Sequence, residues 1–139
     1  MQIKAENFLN EITIRAYVDE SKQPHPALAI ATFECKDCMH LTDIAQKKQN
    51  EIQQPAVCTE CGGRKFGIYK KDCKFTDLQE LKCLVEDRFI TVYLRGCQCK
   101  PEGYKRGMYT ITGRLNIDIT QEPYKYYVDQ VTDIHKMRK

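Results

Sequence analysis

Two thiol pairs constrain this chain more than any other feature. "CKDC" sets Cys35 and Cys38 at one spacing, "CTEC" repeats it at Cys58 and Cys61, and 19 residues lie between the pairs. A C-x-x-C turn aims two sulfurs at one point while backbone amides stabilise the thiolates, and two such turns supply the four tetrahedral ligands that zinc prefers. The spacing lies in the range of zinc ribbons, and Gly62-Gly63 lets the chain turn tightly behind the second pair. It predicts one structural zinc per chain, held by Cys35, Cys38, Cys58 and Cys61. A catalytic zinc keeps one position open for water and sets a general base beside it, in patterns such as H-E-x-x-H or H-x-E with P-C-x-x-C, and neither occurs here. His40, two residues past the first pair, reads as a neighbour of the site and not a ligand. Such an ion fixes an insertion too small to have a core of its own.

At 139 residues the chain has room for one compact domain, or one domain with a small insertion, and two large domains are excluded. The start "MQIKAENFLNEI" lacks the basic end, apolar centre and small-residue cleavage site of a signal peptide, and no stretch is long and apolar enough to span a membrane. The expectation is an intracellular protein. In a reducing compartment its eight cysteines read as metal ligands and small buried residues, not as disulfides. Cys83 alternates with Leu81 and Val85 and reads as core, Cys73 opens a strand, and Cys97-x-Cys99 sits in a loop. These four are expected to be free thiols in preference to a second metal site, because C-x-C bridges one ion with poor geometry. Net charge is only +3, from 22 basic and 19 acidic residues, so a polyanion site would have to come from local clustering.

Beta signals dominate the rest. "EITIRAYV" and "ALAIATFEC" flank the turn-forming "DESKQPHP", and "KFTDLQELKCLV", "RFITVYL", "GMYTITGRLNIDIT" and "YKYYVDQVTDI" follow the cysteine region. The segment "LTDIAQKKQNEIQQ" fits a helix or a short hairpin equally well. Five short antiparallel strands with loops of variable length suit a small closed barrel of the oligonucleotide-binding (OB) type.

With these residues in place, the chain from about Glu11 to Ile119 resembles the amino-terminal region of the minichromosome maintenance (MCM) replicative helicases. In that family an OB barrel carries a zinc-binding insertion. "IRAYVDESKQPHPALAIATFECKDC" resembles the first two strands leading into the first cysteine pair, with Ser21 and Pro24 in the loop, and "PAVCTECGG" resembles the second pair. "FTDLQELK" resembles the F-x-D-x-Q-x-(I/L)-K strand through Phe75, Asp77, Gln79, Leu81 and Lys82. "RFITVYL" and "GYKRGMYTITGRL" resemble the next strand and the glycine-marked last barrel strand. Three departures stand out: Leu84-Val85 replaces the Q-E after the lysine, Glu86-Asp87 shortens the turn before Arg88, and Met108 replaces an acidic residue.

The resemblance implies an all-β fold: a five-stranded OB barrel with an inserted zinc-ribbon-like four-cysteine subdomain and a C-terminal β-hairpin. The expected divisions are residues 1–34 for the first barrel strands, 35–72 for the insertion, and 73–139 for the remaining strands and the hairpin. It also implies a non-catalytic DNA-binding and ring-forming module of an MCM-type helicase, in the cytoplasm of an archaeon or the nucleus of a eukaryote. No G-x-x-x-x-G-K-(S/T) motif occurs, so the chain carries no P-loop ATPase of its own, whereas the family's helicases use one. The partners implied are single-stranded DNA, double-stranded DNA as a second candidate, and other copies in a ring, held weakly without the family's helical bundle. Lys22, Lys82, Arg88, Arg114 and Lys125 are the expected phosphate contacts. "NIDITQEPYKYY" would be the hairpin, with Lys125 near its tip and Tyr124, Tyr126 and Tyr127 beside it, these tyrosines packing on a core in preference to stacking on bases. The alternative is an OB-plus-ribbon subunit that docks in transcription or translation machinery. Self-association separates the two.

Overall fold

The computed structural model describes residues 4–46, 52–120 and 122–137. Eight strands appear among them: β1 (Glu11–Ser21), β2 (His25–Cys35), β3 (Leu41–Ala45), β4 (Phe66–Ile68), β5 (Lys74–Val85), β6 (Arg88–Arg95), β7 (Gly107–Asp118) and β8 (Lys125–Lys136). The only helical pieces among the described residues are three single 3-10 turns, so the all-β expectation holds. No helix there is long and apolar enough to cross a membrane.

The chain divides into two compact units, residues 1–25 with 77–139, and residues 26–76. The first is a closed barrel. Antiparallel pairs join β1 to β7, β7 to β8, β6 to β5 and β5 back to β1, and a parallel pair, Thr91 with Tyr127 and Val92 with Val128, joins β6 to β8. Closure leaves no long edge open to pair with another chain. Alternation builds its core: β1 turns Ile12, Ile14, Ala16 and Val18 inward and leaves Glu11, Thr13, Arg15 and Tyr17 outside. Leu81, Cys83 and Val85 of β5, Ile90, Val92 and Leu94 of β6, Tyr109, Ile111 and Leu115 of β7, and Val128 of β8 meet them. Each large aliphatic chain so buried contributes about 1.5–3 kcal/mol over its exposed state. Of the two unmatched apolar residues, Val85 belongs to this core and Leu84 faces outward.

The β7–β8 pairing shifts register between Thr112 and Arg114, and Gly113 permits the approach there. A Cβ at Gly113 would stand 2.7 Å from Val128 Cγ1 and 3.0 Å from the Asp129 carbonyl oxygen. The expected C-terminal hairpin is present as β7 and β8, whose strands are themselves two of the five barrel staves.

The second unit contains β2, with β3 paired antiparallel to it from Ile30–Ala45 to Glu34–Leu41 and β4 from Phe33–Ile68 to Cys35–Phe66. "ALAIATFEC", expected as a barrel strand, thus lies in this unit, which begins at Pro26, ahead of the first cysteine. Its burial pattern fits: β2 buries Ala31, Thr32 and Phe33 in succession and lacks the strict alternation of a stave solvated on one face. The open choice for the segment after the first cysteine pair resolves to a strand at Leu41–Ala45; residues 47–51, with Lys47 and Lys48, lie outside the described residues.

Candidate functional site

The two C-x-x-C turns in the second unit share one backbone geometry. In the first, the N–H of Met39 donates to the carbonyl of Cys35 at 2.8 Å; in the second, the N–H of Gly62 donates to the carbonyl of Cys58, also at 2.8 Å. Both turn residues take left-handed backbone, φ 65° at Met39 and 77° at Gly62, which costs glycine nothing and a side chain about 1 kcal/mol or more. The N–H of Cys35 donates to the carbonyl of His40 and that of Cys58 to the carbonyl of Gly63. His40 therefore supports the site through its backbone.

The four sulfurs converge. Their Sγ atoms all lie within 4.8 Å of one another, with Cys35 and Cys61 at 3.5 Å and Cys38 and Cys58 at 3.6 Å. Each pair offers one buried and one exposed cysteine. The backbone N–H of Cys61, with that of Glu60, draws the Cys58 thiol down to about 7. For Cys61, the Gly63 N–H pulls down, but the Cys38 and Cys35 sulfurs outweigh it and push the thiol up to about 12. Four thiolates this close repel one another unless a cation lies among them, and this donor set can hold a soft or borderline metal ion.

The other cysteines do not join it. Burial alone pushes the Cys83 thiol up to about 12, as suits a core residue. Cys73 accepts the N–H of Thr32 at 3.4 Å and donates to the carbonyl of Tyr69, Cys97 is exposed, and Cys99 donates to the carbonyl of Leu94.

On the barrel, the candidate cations fall into groups. Lys82 Nζ lies 4.5 Å from the centre of the exposed Phe89 ring, and the Arg88 guanidinium lies 4.1 Å from that of Tyr126. Lys125 begins β8, two residues before Tyr127, which pairs with Thr91 of β6. Lys22 pairs with Glu80 at 3.3 Å, an exposed ion pair of little net worth. Arg114 stands apart on β7, opposite Glu11 and Asp129. Of the three tyrosines, Tyr126 packs edge-on against Phe8 at 4.8 Å and Tyr127 against Tyr93 at 5.8 Å, while Tyr124 is exposed.

A family model described as the MCM OB domain matches residues 1–86, more than half of the chain. The chain belongs to the MCM OB-domain family. Its fold is similar to the crystal structure of the N-terminal domain of an archaeal MCM, with a TM-score of 0.72 and 21% identity over 98% of this chain. This chain covers 59% of that one. No curated protein matches it.

Two residues of this MCM OB domain gain roles that sequence reasoning did not give them. Gln79, met only as part of the F-x-D-x-Q pattern, is fully buried, and its amide binds the backbone of Lys22 and Lys100. Phe89 is the more relevant to a site. Its place in "RFITVYL", out of step with Ile90, Val92 and Leu94, already marks it as an outward aromatic.

Proposed function

We propose that this MCM OB-domain chain is a non-catalytic DNA-binding module of an MCM-type replicative helicase, holding one structural zinc and binding single-stranded DNA through the barrel's basic outer face. The observation that carries the reading is the family match, joined by Lys82, Arg88 and Lys125 on neighbouring strands β5, β6 and β8. Cys35, Cys38, Cys58 and Cys61 would hold the zinc. A tetrahedral zinc with zinc–sulfur distances near 2.3 Å needs sulfur–sulfur edges of about 3.8 Å, close to those that the thiols already adopt. The ion would tie the two turns together and supply no chemistry. Copies of the chain associate weakly into rings in this reading, and double-stranded DNA is a secondary ligand.

The test is fluorescence anisotropy with single- and double-stranded oligonucleotides at low salt, run beside light scattering. Salt-sensitive binding to single strands, little affected by base sequence, is the expected result. Failure of both kinds of DNA to bind, even at protein concentrations that favour assembly, overturns the reading.

A further inference from the structure

Each turn of the four-cysteine site keeps one sulfur inside and offers the other to solvent. Cys35 and Cys58 are 0% and 2% exposed, whereas Cys38 and Cys61 are open to water. Two close sulfur contacts cross between the turns: Cys61 Sγ lies 3.5 Å from Cys35 Sγ, and Cys38 Sγ lies 3.6 Å from Cys58 Sγ. Each contact therefore joins an exposed sulfur of one turn to a buried sulfur of the other. Gly63 accounts for the first of them. Its N–H donates to Cys61 Sγ at 3.4 Å, and a Cβ on it would stand 3.2 Å from Cys35 Sγ, so both sulfurs gather at a residue with no side chain.

An accessible sulfur held against a protected one is the arrangement that turns peroxide oxidation into a disulfide. The exposed thiolate attacks hydrogen peroxide, breaks its O–O bond and becomes a sulfenic acid, with hydroxide leaving. The buried thiolate in contact then attacks that sulfur, forms the S–S bond and expels a second hydroxide. For each pair, two thiolates, one hydrogen peroxide and two protons give one disulfide and two waters. The sulfurs have only to close to about 2.05 Å. Cys35 and Cys61 stand 26 positions apart in the chain and Cys38 and Cys58 stand 20 apart, so either bond closes a long loop and ties the same two turns that a metal ion ties. A disulfide within one turn would tie nothing.

We propose that the four-cysteine site is an oxidation site: hydrogen peroxide enters at Cys38 and Cys61 and converts the unit from metal-tied to disulfide-tied, through Cys38–Cys58 and Cys35–Cys61, while residues 26–76 stay folded. The inference rests on the zinc reading above and goes beyond it, since it gives a second, metal-free form to the same four residues. Loss of two thiolates to either disulfide leaves two sulfurs, too few to hold the ion, which is released. A dithiol reductant with zinc restores the first form.

The full chain carrying Cys97→Ser, which removes the exposed thiol outside the site, is treated with hydrogen peroxide after reduction. A chromophoric chelator reads the zinc released, peptide mass spectrometry without reduction reads the disulfides, and limited proteolysis reads the fold of the second unit. Zinc is expected to appear in step with the two cross-turn disulfides. Dimedone present during the reaction should mark Cys38 and Cys61, and the oxidised protein should resist protease as the untreated protein does until a dithiol and a chelator are added together. Disulfides within the turns, Cys35–Cys38 or Cys58–Cys61, overturn the proposal, as does oxidation that stops at sulfinic acids. Marking of Cys35 and Cys58 alone overturns the order of attack. An oxidised second unit that is cut between the turns as readily as reduced, metal-free protein shows that the disulfides do not replace the ion, and the proposal falls. Protein that holds no zinc at the start overturns the zinc reading, a separate result, because disulfide pairing and protease resistance are still read on the same sample.

Discussion

The side-chain amide of Gln79 exchanges two hydrogen bonds with the backbone of Lys100, accepting the N–H at 2.8 Å and donating to the carbonyl at 2.9 Å. The same donor, Nε2, also reaches the carbonyl of Lys22 at 2.9 Å and Ser21 Oγ at 3.3 Å. One fully buried side chain thus joins the end of β1 to the loop between β6 and β7. Gln79→Leu keeps the volume but leaves buried backbone groups without partners. It is expected to lower stability by about 2–4 kcal/mol, since each unmatched group costs about 1–3 kcal/mol. Urea unfolding checks this, and a loss below about 1 kcal/mol would show that water replaces the amide.

Asp129 gives the barrel a pH dependence. It is 1% exposed, and burial raises its carboxyl above the usual value although Asn116 Nδ2 donates to it at 2.7 Å. A carboxyl raised in the folded state contributes stability that is full below the unfolded value of about 3.9 and is lost as pH rises through the folded value. Asp129→Asn removes this contribution. Relative to the variant, wild type should be more stable at acid pH and lose that advantage toward neutrality, read by urea unfolding across the range. A difference that does not change with pH contradicts the assignment.

The zinc proposal predicts one metal per chain in reduced, freshly purified protein. Cys58→Ser should release the metal and expose the second unit to protease while the barrel remains folded, because the barrel has its own core. Metal analysis with mass-resolved proteolysis reads both effects. Well under one zinc per chain in wild type contradicts the proposal.

Much of this was legible because strand alternation and cysteine spacing are local. Ile12, Ile14, Ala16 and Val18 announce a stave with one wet face, and the four thiols announce their own convergence. What sequence could not place were pairings set by closure. His25–Cys35 has β composition like any stave, and only the completed ring of β1, β5, β6, β7 and β8 shows that the barrel does without it. In the sequence the cations stand singly, and register alone sets Arg114 of β7 opposite Glu11 and Asp129, while Lys82, Arg88 and Lys125 lie on β5, β6 and β8. That Tyr17, Leu84, Phe89 and Met108 lie in one row on the outside of the barrel depends on two pairings between residues far apart in the chain, Met108 with Tyr17 and Tyr17 with Leu84.

The central claim, that this MCM OB domain binds single-stranded DNA through the β5–β6 side of its barrel, is tested most directly by the salt dependence of binding. Log affinity against log salt is measured for wild type, Lys82→Ala, Arg88→Ala and Arg114→Ala on one oligothymidylate. The expected wild-type slope is negative, flattened by about 0.7 for each of Lys82→Ala and Arg88→Ala and unchanged by Arg114→Ala. If Lys82→Ala and Arg88→Ala retain the wild-type slope and affinity while wild type binds, the strand lies elsewhere on the molecule and the claim is contradicted.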